Sequence, residues 1–447
     1  MNKILLLTLV CAAGLLTSCG SDKLANPLDE KLRTVLNQTS PTGDYSHYIL
    51  PESADLAAIP QDPLNELTEG KINLGKMLFF ETGLALDPFY EFSREFYSCS
   101  SCHVPSKGFM PGRVQGIADG GIGFGDEGEM RDRTILYEEN ELDVQGARPL
   151  SLINVAYTTN TSWNGMFGGG DANAGTEALW DLSEALEVNH LGFSGLETQN
   201  IEGLHLHRMV VNREVMDSLG YREIFDQCFP YMEENERYTD ITTSLAISAY
   251  LRSLISNEAP FQQWLKGDEN AMSDREKYGA NLFFGKAGCF RCHNTAALND
   301  PDNFYALGVK DLYETGEAFN TGPDDQRNFG RGFFTKDDND MFKFKVPQLY
   351  NVAASSHFFH GSSKTSMREV VRYFNLGLPE NSRVPAANIA PQLHPLNLTE
   401  GEIDDLTLFL ERSLTDPNIE RYVPESVLSG NCFPNNDPAS RVALGCE

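Results

Sequence analysis

Cys99-Ser-Ser-Cys102-His103 decides how this chain is read, and Cys289-Phe-Arg-Cys292-His293 repeats it. Two thiols with two residues between them, followed at once by an imidazole, fit covalent c-type haem attachment: the sulfurs join the porphyrin vinyl groups and the histidine binds iron. A thioredoxin-like pair or half of a zinc site would explain the cysteines but not a histidine adjoining both pairs. No further CxxC pair remains to complete a zinc tetrad. The expected cofactors are therefore two haem c groups, attached through Cys99, Cys102, Cys289 and Cys292, with His103 and His293 on the irons.

Outward from both motifs the chain repeats one plan. Gly75-Lys-Met-Leu78-Phe79-Phe80 precedes the first and Gly279-Ala-Asn-Leu282-Phe283-Phe284 the second, each reading as the end of an amphipathic helix packed on a haem. Downstream, Asn154-Val155-Ala156 stands nine residues before Trp163-Asn164-Gly165, and Asn351-Val352-Ala353 stands nine before His360-Gly361. Trp163 and His360 thus occupy matching positions. Helical periodicity is clear over 241–255 and 366–374, strand alternation is scarce, and the Gly-rich and acidic stretches 120–128 and 321–340 read as surface loops. The prediction is a mainly α fold of two tandem cytochrome-c-like haem domains, 64–238 and 239–425, with a leader at 19–63 and a tail at 426–447.

The 447 residues, 41% of them apolar, can bury a substantial core. A formal charge of −29 argues against nucleic acid and suits a solvated acidic surface or a basic partner. Residues 1–18 read as a signal peptide ending in Leu16-Thr-Ser-Cys19, which resembles the bacterial lipobox. The expectation is an exported protein on the periplasmic or cell-surface side, held to a bacterial membrane only by lipid on Cys19. An oxidising compartment permits a disulfide from Cys432 to Cys446, which would leave Cys228 free.

Taken together, the stretches 74–80, 99–103, 149–163, 267–293 and 344–377 resemble the bacterial di-haem cytochrome c peroxidase family, which includes MauG and its relatives. The resemblance implies chemistry on hydrogen peroxide, His103 on the peroxide-handling haem and His293 on the electron-transferring haem. Trp163 matches the aromatic residue between the two haems. Glu202, in Ile201-Glu202, matches the acid/base carboxylate, with Glu187 and Glu197 as rivals. Such a group takes a proton from one peroxide oxygen and returns it to the other. His190, His205 and His207 lie near it and read as surface or satisfied core histidines. The resemblance also implies a calcium ion held by Asn154 and by the backbone carbonyls of Ser355 and His357.

The chain departs from the family in two places. Classical members close the first haem with a histidine from the loop after the first motif, whereas no His stands between His103 and His190 here. Unless Met110 or Met130 substitutes, an open position on the first haem is expected. The position of the second haem's axial Met is Tyr373 here, as in MauG-like members, with Met367 as the competing ligand. The reading is a di-haem peroxidase that reduces hydrogen peroxide with electrons from a donor protein. Its alternatives are a MauG-like enzyme that oxidises residues of a protein partner and a non-catalytic electron-transfer cytochrome.

Overall fold

The computed structural model describes residues 26–446, so the signal segment and Cys19 lie outside the described residues. The chain is mainly helical. Its core is carried by α1 (Pro27–Thr39), α2 (Glu69–Phe80), α3 (Gly195–Leu206), α4 (Asp240–Arg252), α5 (Asp274–Phe283), α6 (Met367–Leu376) and α7 (Glu400–Leu408). Polar caps start them: Thr68 accepts the Lys71 N–H, and the pairs Ser273–Glu276 and Thr399–Glu402 form capping boxes at α5 and α7.

The repeat seen in the sequence is a repeat of packing. In the first half α2 lies on α4; in the second, α5 lies on α7. Gly75 faces the backbone of Ala246 in the first crossing and Gly279 faces the backbone of Asp405 in the second, so each echoed glycine sits where two helices touch. The downstream echo is repeated in backbone angles. Asn154 and Asn351 have φ of 53° and 57°, and Ser162 and Phe359, the residues before Trp163 and His360, have φ of 72° and 67°. Left-handed angles at matching non-glycine positions show that the two halves keep one local trace at an energetic cost.

Packing also crosses the linear division expected at residue 238. The helix α4, beyond that point in sequence, packs on α2 of the first half. The leader contributes to the second half, because α1 packs on α5 and Asp29 accepts from Lys277 Nζ at 2.9 Å and from Trp264 Nε1 at 2.6 Å. Residues 432–446 are closed by a Cys432–Cys446 disulfide and lie on the first haem motif, where Ser98 Oγ donates to the Pro434 carbonyl at 3.0 Å. Cys228 is free. Among the described residues no helix is long and apolar enough to cross a membrane.

Candidate haem-binding site

Each Cys-x-x-Cys-His motif begins a short 3-10 turn, over Cys99–Ser101 and over Cys289–Arg291, which brings the histidine back beside its own helix. The two histidines are then treated alike. His103 Nδ1 lies 2.9 Å from the Phe109 carbonyl and His293 Nδ1 lies 2.7 Å from the Leu298 carbonyl. A carbonyl only accepts, so Nδ1 carries the hydrogen and Nε2 keeps its lone pair for a metal. Phe109 and Leu298 both have left-handed φ, 57° and 54°, which aims those carbonyls at the rings. Burial lowers both imidazoles to about 4, so both are neutral in ordinary buffers, as an iron ligand must be.

The cysteines fit haem attachment rather than metal binding. Burial pushes the thiols of Cys99, Cys102 and Cys289 up to about 12, so they rest as neutral thiols. Among the described residues no group of three or more His, Cys, Asp or Glu is arranged to hold a metal ion. A large apolar cavity opens beside Cys289, Cys292 and His293, walled by Phe283, Leu349, Val371 and Leu410.

Two buried cations at that cavity, Arg148 and Lys345, have no carboxylate partner among the described residues. Arg148 is 2% exposed, donates to the Arg113 and Pro111 carbonyls and to Ser355 Oγ, and has Nε with no partner at all. Lys345 is 4% exposed and reaches one carbonyl, that of Pro301, at 3.4 Å. Burial holds them down to about 9 and about 7 respectively. Unpaired buried charge of this kind is costly, and the two propionates of a haem would neutralise it. The residues present fit the group. Neither cation was singled out from the sequence; the available signal was a lone charge inside an apolar run, as in Phe344-Lys345-Val346.

Trp163 also lines this cavity and fastens the halves together. Its Nε1 donates to the Arg148 carbonyl at 2.6 Å, its own carbonyl accepts the Lys345 N–H at 2.8 Å, and its ring meets His360 edge-on at 6.1 Å. His360 stacks on Phe344 at 3.7 Å and is held by Asp311 at 3.1 Å.

The remaining expected residues separate. Tyr373 does not face the cavity: its hydroxyl donates to the Leu307 carbonyl at 2.6 Å. The face of α6 that does line it is Met367, Val370, Val371 and Phe374. Of the rival carboxylates, Glu187 is exposed and Glu197 is locked to Arg252 through bonds of 2.7 and 2.9 Å. Glu202 is half-buried and burial raises its carboxyl. His190 and His205 are surface residues paired with Asp181 and Asp240. Met130 is 66% exposed, and Met110 lines the cavity beside His293. Asn154 Oδ1 accepts the Ser256 N–H at 3.0 Å, the His357 carbonyl accepts from Ser355 Oγ at 2.5 Å, and Arg148 adjoins Ser355.

A family model described as di-haem cytochrome c peroxidase matches residues 69–270, which hold the first motif, Trp163 and α3. Over those residues the chain is similar to the di-haem cytochrome c peroxidase family. Among its relatives are the cytochrome-c peroxidase IdrP1 of Denitromonas iodatirespirans, 27% identical over 83% of this chain and 88% of that protein, and the methylamine utilization protein MauG of Methylorubrum extorquens, 27% identical over 80% and 82%. The fold is shared with a MauG-like protein associated with microbial copper homeostasis, at a TM-score of 0.57 and 23% identity over 83% of this chain and 95% of that one. It is also shared with the di-haem peroxidase BthA of Burkholderia thailandensis, at 0.51 and 17% over 83% and 90%.

Proposed function

We propose that this chain is an exported di-haem peroxidase that reduces hydrogen peroxide to water with electrons from a donor protein. The observation that carries the reading is the pair of matched sites, each with a neutral, carbonyl-held histidine, linked through Trp163 and Arg148. When bound, haem supplies the redox chemistry, overall H2O2 with two electrons and two protons giving two waters. The chain itself fixes the tautomer of each ligand, shields both rings from water, answers the propionate charge with Arg148 and Lys345, and holds an aromatic ring between the halves. Stoichiometric peroxide added to the as-isolated protein, with a reduced soluble c-type cytochrome as donor, tests this directly. Consumption of peroxide with oxidation of the cytochrome is expected; an inert protein would leave only an electron carrier. Peroxide uptake that modifies a protein partner in place of the cytochrome would select the MauG-like alternative.

For the second haem the reading is revised from Tyr373 to Met367, which stands in the cavity wall. Tyr373→Phe is then expected to leave the absorption spectrum of that haem unchanged, and Met367→Ala to shift it. The reverse pattern restores the tyrosine. A calcium ion at Asn154, Ser355 and His357 rests on the family resemblance and on the neutral oxygen donors there, which suit a hard cation. No step is derived from it. Dialysis against a chelator, followed by metal analysis and re-addition, is expected to remove and restore one equivalent of calcium together with peroxidase activity; full activity in calcium-free protein refutes the assignment. Anchoring at Cys19 is read by mass analysis of the mature N-terminus, where an unlipidated residue would rule it out.

A further inference from the structure

The loop after the first motif has no histidine, and His207, from more distant chain, lies near that motif. His207 follows the C-terminus of α3, and its backbone carbonyl is fixed by the hydroxyl of Tyr97 at 2.9 Å, two residues before Cys99. Its Nδ1 lies 2.7 Å from Asp143 Oδ2. The Asp143 side chain is 6% exposed, and its charge acts on the thiol of Cys102, a haem attachment point. The His207 ring is itself near enough to His103 to disfavour a second positive charge there. Its side chain is 30% accessible although Tyr97, Asp143 and Arg208 surround it.

We propose that His207, oriented by Asp143, is the proton-handling residue beside the peroxide site of the first haem. The inference rests on the peroxidase reading above. With Nδ1 committed to Asp143, Nε2 is the free nitrogen, and a carboxylate on the far side of an imidazole fixes its tautomer and strengthens Nε2 as a base. Burial works against charge on His207, but Asp143 outweighs it and holds the imidazole above its ordinary pKa. With haem bound, Nε2 would take a proton from one peroxide oxygen and return it to the oxygen that leaves as water, while the haem would supply the two electrons that cleave the O–O bond. The proton count of the pair is unchanged, so no further proton donor is needed. Glu202 influences His207 electrostatically and belongs to the same neighbourhood, yet it has no partner that would fix its orientation.

Cyanide binding to the ferric holoprotein tests the assignment without peroxide turnover, because hydrogen cyanide must give up its proton to a nearby base as it binds iron. His207→Ala and His207→Gln are both expected to slow cyanide association about a hundredfold, the lower end of what a general acid/base group contributes, with both haems attached and the resting spectrum unchanged. The glutamine variant keeps the shape and a hydrogen-bonding amide, so it decides the matter if the alanine variant fails to take up haem. Asp143→Ala is expected to lose part of the same rate, and Asp143→Asn, which still offers an acceptor to Nδ1–H, to recover much of that loss. Unchanged cyanide association in both His207 variants overturns the proposal. So does conversion of the first haem from low to high spin in them, since His207 would then be an iron ligand. Failure of the peroxidase reading leaves this result standing, because cyanide reports on proton handling alone.

Discussion

Trp163→Phe is expected to lower donor-driven peroxide turnover about a hundredfold, the scale of loss when a positioned group shifts by roughly 1 Å, while both haems remain attached. Phenylalanine keeps most of the aromatic surface, so simple packing loss is not the cause. What disappears is the indole N–H that donates to the Arg148 carbonyl at 2.6 Å. The same residue, Arg148, donates its backbone N–H to the His360 carbonyl at 2.7 Å, and the Trp163 carbonyl accepts from Lys345 at 2.8 Å. One residue, through its indole N–H and its backbone carbonyl, therefore ties together the backbone of both buried cations, and through Arg148 that of His360. Without the N–H, a carbonyl is left short of a partner at a cost of about 1–3 kcal/mol, and the ring is free to pivot out of its edge-on contact with His360. Steady-state turnover with a reduced cytochrome measures this, alongside the absorption spectra of both haems. Turnover within about threefold of the natural protein would show that the ring's position is immaterial.

The sequence exposes covalent chemistry well and tertiary neighbours poorly. Cys99 to His103 and Cys289 to His293 are legible because attachment needs fixed residues at fixed short spacing. The repeat is legible for the same reason, since Gly75 and Gly279 or Asn154 and Asn351 answer to local backbone demands that recur. His207 could not be found by inspecting the loop after His103, because α3 carries it to the site from more distant chain. Tyr373 occupies the aligned position, but a helix turns about 100° per residue. With Met367, Val370, Val371 and Phe374 facing the cavity, residue 373 points aside, toward Leu307. Helix pairing is not read from a linear boundary either: α4 lies beyond residue 238 and packs on α2.

Gly75→Ala and Gly279→Ala are each expected to destabilise the protein by about 2–3 kcal/mol. In α2 a Cβ at residue 75 would collide with the Ala246 carbonyl oxygen, and in α5 a Cβ at residue 279 would collide with that of Asp405. Both obstacles are backbone atoms of a buried partner helix, so no rotamer change relieves them, and the helices must move apart. Separation is expensive here because Leu74, Leu78 and Phe79 on α2, and Ala280, Leu282 and Phe283 on α5, are fully packed around the crossing. It also has a chemical consequence. Phe79 lies against the ring of His103 at 6.5 Å and Phe283 against that of His293 at 6.2 Å. Pushing α2 off α4 therefore shifts the wall behind the first iron ligand, and pushing α5 off α7 shifts the wall behind the second. Intrinsic helix propensity works the other way, favouring Ala over Gly by about 1 kcal/mol, so a gain in stability would show that the crossing relaxes cheaply. Thermal melts that follow the two haem bands separately check both claims. Gly75→Ala is expected to lower the midpoint of the first haem's transition more than the second's, and Gly279→Ala the reverse; equal shifts in both bands would show that the halves melt as one unit.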